Sequence, residues 1–281
     1  MKPLRYSSAI LPVALAPVLA VLFTMGGPSV PAATQDSLTI SEIVVKGNKT
    51  LNTQAIITVS GHNVGDPCTT MTLGDMRDRL AKSGNFGIHY PDRPEKWVSV
   101  MAEDRPNNKC KITITVDEND PITAIEISGK GPVKSEEVKA LITKGAVFNA
   151  STFAQDRQSI TNLYNRRGYS ISFGEPIGMD PVNPGTLLVP IIVDRVGNIE
   201  VKKDGVLTTD AKLLGRLATK AGGYFNRKVF YEQDRRKLLG KAYDDANFTE
   251  HQVSLGVVDL KISLVTKQGR SCERIGACGT D

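Results

Sequence analysis

Three histidines, His62, His89 and His251, are the first residues to test for chemistry. A hydrolytic triad needs a histidine within reach of a nucleophile and a third group that orients it, and zinc held on a helix needs a spacing such as His-x-x-x-His. None of the three sits in such a set. No phosphate-binding or dinucleotide glycine pattern is present, and the acidic residues are scattered as they are on solvated surfaces. Four cysteines, Cys68, Cys110, Cys272 and Cys278, have no nearby histidine and make a poor zinc set. In an exported chain an even cysteine count permits two disulfides. Asn48-Lys49-Thr50, Asn149-Ala150-Ser151 and Asn247-Phe248-Thr249 fit the glycosylation sequon, but Asn also suits turns and caps. The expectation is therefore no catalytic residue, no metal and no cofactor. The rival reading is an exported hydrolase on an α+β scaffold, which would need a histidine clustered with Ser, Cys or a carboxylate in a deep pocket.

The elements that carry these residues begin with an export segment. Lys2 and Arg5 precede an apolar stretch, Ile10 to Phe23, and the small residues Val30-Pro31-Ala32-Ala33 suit cleavage, so residues 1–33 read as a signal peptide. A retained membrane anchor is the alternative. The stretch is short for a span of ~20 residues, and Pro12 and Pro17 interrupt it. Removing Lys2 and Arg5 from the formal +5 leaves +3. That excess is too small to point to nucleic acid or an anionic membrane surface. The charged run Arg235-Arg236-Lys237 would be the point of any peripheral membrane contact. Composition, 40% hydrophobic and 23% charged, is that of globular domains.

A repeat of about eighty residues then organises the chain. Its copies open Ile40-x-x-Ile43-x-Val45-x-Gly47-Asn48, Ile122-x-x-Ile125-x-Ile127-x-Gly129 and Val196-x-x-Ile199-x-Val201, where Lys203 replaces the glycine and Gly205 follows two residues later. Alternating β-branched residues closed by a turn signal predict a strand and a turn. A short helical stretch follows, then a slot: Gly65-x-x-Cys68-Thr69, Gly145-x-x-Phe148-Asn149 and Gly222-x-x-Phe225-Asn226. Thr69, Asn149 and Asn226 suit helix N-caps. A longer helix comes next, marked by Leu73, Met76 and Leu80, by Phe153, Ile160, Leu163 and Tyr164, and by Phe230, Leu238, Leu239 and Tyr243. It ends at Gly84-Asn85-Phe86, Gly168-Tyr169 and Asn247-Phe248. Two strands close each copy, about 88–100 with 112–116, 169–173 with 187–193, and 251–255 with 257–265, with 101–110 as a long connection in the first. The predicted fold class is α+β: three tandem β-α-α-β-β modules over 38–118, 120–194 and 196–267, each a three-stranded mixed sheet covered by two helices, and a polar tail over 268–281.

This order, with the Ile-x-x-Ile-x-Val-x-Gly-Asn opening and the Asp156…Ile160…Leu163-Tyr164…Gly168-Tyr169 stretch, resembles the POTRA (polypeptide-transport-associated) repeat. The pattern is similar to the periplasmic part of the BamA family of outer-membrane assembly factors, and to two-partner secretion and TamA-type transporters. After the third copy only about sixteen residues remain, too few for barrel strands of ~10 residues each. The resemblance implies a non-catalytic periplasmic protein at the inner side of the outer membrane, acting in outer-membrane protein assembly or transport. Its partners would be an outer-membrane barrel protein or an unfolded outer-membrane client. The implied contact is strand addition to a sheet edge, usually the strand after the second helix. Here that means Ile88, Tyr90, Trp97 and Val98, then Ser170, Ile171 and Phe173, then Gln252, Val253 and Leu255. Trp97 is either an exposed anchor or, more in keeping with its type, packed on the core. In this fold the second helix and the last strand start at one end, so Cys68 and Cys110 fall within disulfide reach, while Cys272 and Cys278 would close a small loop in the tail. An envelope or cell-division scaffold with a retained N-terminal anchor is the second reading.

Overall fold

The computed structural model describes residues 38–89, 92–129, 131–239 and 243–266. The export segment 1–33, Tyr90, Cys272 and Cys278 lie outside the described residues.

The alternating openings form β1 (Thr39–Lys46), β4 (Ala124–Ser128) and β8 (Arg195–Lys203). Each pairs in parallel with the last strand of its own repeat: β3 (Lys109–Val116), β7 (Thr186–Val193) and β11 (Val257–Thr266). The register recurs. Ile43 faces Ile112, Ile125 faces Leu187 and Ile199 faces Leu260; two residues on, Val45 faces Ile114, Ile127 faces Val189 and Val201 faces Ile262. On its other side the last strand pairs antiparallel with β2 (Val98–Arg105), β5 (Ile171–Phe173) and β10 (Tyr243–Ser254). The sheet orders are β1-β3-β2, β4-β7-β5 and β10-β11-β8-β9, and the two-residue β6 (Gly178–Met179) also pairs with β7. The last strand is thus central. It reads as unbroken alternation in Thr186–Val193, with every second residue buried.

Helices cover one face of each sheet: α1 (Thr53–Ser60) and α2 (Thr70–Lys82), then α3 (Ser135–Lys139) and α4 (Ala150–Arg166), then α5 (Ala211–Arg216) and a π-helical stretch, Val229–Asp234, running into α6 (Arg235–Leu238). Met76 and Leu80, Ile160 and Tyr164, and Phe230 and Leu238 face the sheets. Three separate apolar clusters result, centred on Ile112 and Ile114, on Leu187 and Val189, and on Leu260 and Ile262. The caps act as expected from their residue types: Thr69, Asn149 and Asn226 accept from the backbone N–H of Thr72, Thr152 and Val229.

Two elements differ from the sequence expectation. The third long helix ends at Leu238, and Tyr243–Ser254 is a twelve-residue strand. Ala246 and Phe248 are buried by strand alternation against β11, although Leu239 and Tyr243 also fit a helical spacing. In the first repeat Ile88 and His89 are on no strand and a 3-10 turn follows at Pro94–Lys96; the strand starts at Val98 and runs to Arg105. The polar run at 101–105 is the exposed part of that strand, and the turn is confined to Pro106, Asn107 and Asn108, the two Asn having positive φ.

The second and third sheets each have one strand beyond the expected three, the second the short β6. Gly47 and Gly129 leave their strands at φ 86° and 95°, so close to the Val116 and Ile191 carbonyls that a Cβ would lie 2.1 Å from each oxygen. Lys203 cannot take that path. It stays in β8 opposite Leu264, and the chain turns through Asp204 (φ 49°) and Gly205 (φ 83°). Positive φ at both central residues is the type I′ hairpin turn. Val206–Thr208 returns along β8 as β9.

Candidate partner-binding edges and module joints

A sheet edge offers backbone N–H and C=O groups that no neighbouring strand satisfies. Among the described residues the edge strands are β1 and β2, then β4 with β5 and β6, then β10 and β9. The residues expected to form binding edges distribute unevenly over them. Val98 opens β2, is 2% exposed and pairs with Val116. Trp97 stands just before β2, half-buried against the first core with its ring on Gly87. Ile171 and Phe173 lie on β5, an edge of only three residues, with the Arg157 guanidinium 4.9 Å from the Phe173 ring centre. Ser170 precedes β5, and its carbonyl accepts from the Asp194 N–H. Val253 (49% exposed) and Leu255 (63% exposed) stand at the tip of the β10–β11 hairpin. Ile88 is on no strand.

Ile88 belongs instead to the joint between the first two repeats. Its N–H donates to Asn119 Oδ1 at 2.9 Å, and its side chain packs on the second core. Asn119, 3% exposed, donates through Nδ2 to the carbonyls of Gly84 (3.0 Å) and Phe148 (2.9 Å). Asn149 works in both directions. Its Oδ1 caps α4, while its Nδ2 donates to Ser83 O and to Asn85 Oδ1, both at 2.7 Å. The end of α2 is thereby tied to the start of α4. The second joint repeats the device: Asn226 Nδ2 donates to Arg167 O at 2.9 Å, and Lys228 Nζ to Arg166 O at 2.7 Å. Gln252 is drawn into this joint, donating to Ser254 O at 2.7 Å and to the buried Asp194 at 3.5 Å. Sequence inspection detected the caps but not these second bonds, because the partners lie about sixty residues away.

A POTRA family model, described as a surface antigen variable number repeat, matches residues 121–177. The chain superposes on the N-terminal domain of Omp85 from Thermosynechococcus elongatus with a TM-score of 0.64 at 19% identity, over 82% of this chain and 98% of that one. It superposes on POTRA domains 1–3 of the periplasmic domain of Omp85 from Anabaena with a TM-score of 0.59 at 17% identity, over 82% of this chain and 96% of that one. The fold is a tandem POTRA array. No curated protein sequence matches the chain.

Electrostatics in the POTRA array concentrate at the joints. His89 lies between Asp117 (Nδ1, 3.1 Å) and Asp120 (Nε2, 3.1 Å). Partial burial pulls its pKa down, but the hydrogen bonds its ring donates to Asp120 and Asp117, and then their charges, outweigh that, and the net shift is upward. Burial likewise raises the Asp194 pKa against the opposing hydrogen bond from Gln252. Arg227 spans the second joint, paired with Glu250 at 2.9 Å and donating to the Ser170 hydroxyl. His62 is held by Asp75 (3.0 Å) and Asp66 (3.5 Å). The two best-placed histidines are thus engaged by carboxylates. Cys68 and Cys110 form a disulfide that ties the start of α2 to the start of β3, with Cys110 fully buried. It occupies the slot that Phe148 and Phe225 fill in the other modules. No helix among the described residues is long and apolar enough to cross a membrane.

Proposed function

We propose that this chain is a non-catalytic periplasmic polypeptide-binding protein of outer-membrane protein assembly or transport. Its modules are taken as 38–118, 120–194 and 196–267. Its partners are an outer-membrane barrel protein or an unfolded outer-membrane client, held by strand addition. The observation that carries this reading is three POTRA sheets in series, each with an edge that has no strand beside it among the described residues. Such an edge binds extended chains through main-chain hydrogen bonds with little demand on sequence. A binder of varied unfolded segments needs that economy. The solved Omp85 relatives support it by fold, since the Anabaena structure is of a periplasmic domain.

The test is a photo-reactive residue placed singly at Ser172, Val253 or Glu126 of the full exported chain in its own envelope. Adducts with outer-membrane barrel proteins or their unfolded precursors are expected. Adducts confined to septal proteins, with residues 10–23 retained in the mature chain, would replace this reading with the division scaffold.

A further inference from the structure

In the third module the chain itself occupies the outer edge of the opening strand. β9 runs antiparallel along β8, with Val201 opposite Thr208, Lys202 opposite Leu207 and Lys203 opposite Val206. In the second module Gly129 carries the chain away at the equivalent point, and among the described residues β4 pairs only with β7. The Ala124 N–H donates inward to Gly185 O at 3.1 Å. Backbone groups alternate along a strand, so Ile125 and Ile127 direct theirs to the open edge. Val201, the residue at the Ile127 position, is paired with β9 at that same edge.

We infer that the open edge of β4 is the docking site of an extended polypeptide that runs antiparallel to Ile125–Ser128, as β9 runs against β8, a reading that presupposes the polypeptide binding proposed above. The edge departs from the one expected after the second helix: there β5 offers three residues and β6 two in separate pieces, whereas β4 offers five without a break. The start of β1 is already covered, its Ile40 N–H donating to Asp66 O and its carbonyl accepting from Gly65, and a bulge between Ile40 and Glu42 interrupts the rest. Beside β4 the surface is shaped for alternating side chains. One hollow lies against Ile125, Ala140 and Ile142, a second against Ile127, Val133 and Tyr164. Apolar residues at every second client position would enter them. Lys139 and Lys144 rim the first hollow with Glu136, and Lys134 rims the second. Three ammonium groups against one carboxylate on this face favour acidic residues on the same face of the client, before and after the apolar pair. The occupant is therefore an extended segment whose every second residue reads acidic, apolar, apolar, acidic.

The experiment uses the mature full chain and an acetylated eight-residue peptide with glutamate first and seventh, valine third and fifth and threonine elsewhere, followed by amide hydrogen exchange. Exchange at Ile125 and Ile127 should slow on binding while 170–173 is unchanged. Ile127→Pro removes one outward N–H at a position an edge strand tolerates, and should weaken binding by about tenfold while the β7 amides keep their protection. The same peptide with lysine in place of both glutamates should bind more weakly. Slowing at 170–173 in place of 125–127 overturns the assignment to β4 but leaves polypeptide binding standing. Equal binding of the two peptides overturns the acidic preference. No binding at any edge, by this or by longer unfolded chains, overturns both readings.

Discussion

His89 shows how one side chain can report on a joint. Asp117 and Asp120 belong to the linker that enters the second module, and both reach the same imidazole from opposite nitrogens. Their pull favours the charged ring, so the pKa is higher in the folded chain than in the unfolded one. The stabilising contribution is fully present below about pH 6.5, the free histidine value, and is lost as the pH rises through the raised folded value. An NMR titration of the His89 ring should give a pKa above that of a histidine peptide, and His89→Gln should flatten the pH dependence of stability in that window. The ring is a third exposed, so solvent screening keeps the effect modest. The disulfide acts by other physics. Cys68 and Cys110 are 42 residues apart, and closing such a loop restricts the unfolded chain. Reduction, or Cys68→Ala with Cys110→Ala, should destabilise the first module by about 4 kcal/mol by chain entropy. A thermal melt with and without reductant measures this.

Strands and helices here are set by short-range pattern until two patterns compete. The opening strands were legible because alternation ends in a turn signal each time. Lys203 in place of the repeated glycine was visible as a departure, but its consequence was not: a lysine keeps the strand going, and the next two residues, Asp204 and Gly205, turn it back as β9. Gly205→Ala should cost about 1 kcal/mol, since a Cβ disfavours φ 83°. Amide exchange should then quicken at Val206–Thr208 and leave β10 and β11 unchanged. Tyr243–Ser254 shows the competition. Leu238, Leu239 and Tyr243 continue a helical spacing, yet Ala246 and Phe248 fit the pleat of β11, and ten register pairs with that strand decide for the sheet. The predicted edge at Ile88 failed for a related reason: that stretch is consumed by contacts with Asn119 and the second core.

Across the whole described chain, the three modules are coupled through the starts of their long helices. Asn149 and Asn226 each cap their own helix and bind the end of the one before, whereas Thr69 at the matching position has a hydroxyl but no amide to donate. Asn149→Asp keeps an acceptor for the Thr152 N–H but removes the donor shared by Ser83 and Asn85, and sets a carboxylate against a carbonyl oxygen. A loss of about 1–3 kcal/mol is expected, with faster exchange at Ala150, whose N–H donates to Gly84 O, while the core of β7 stays protected. If exchange is unchanged there, the joint does not depend on this bond. A coupled array would present its open edges in a constant relation to one another, which suits holding one extended client at more than one module.

The threefold recurrence of strand, helices and strands, the helix caps and the absence of a sequence pattern for hydrolysis or metal binding were determined by the sequence alone, because each depends on residues within a turn or a strand of one another. Tertiary structure alone decided which edges are covered and which are open. Ile125 and Ile199 look equivalent in sequence, and only the path of the chain after Gly129 or Lys203 separates them. The joints are of the same kind. Asn149 reads as a cap from its neighbours, but its amide meets Ser83 across 66 positions of chain, and no local pattern records that contact.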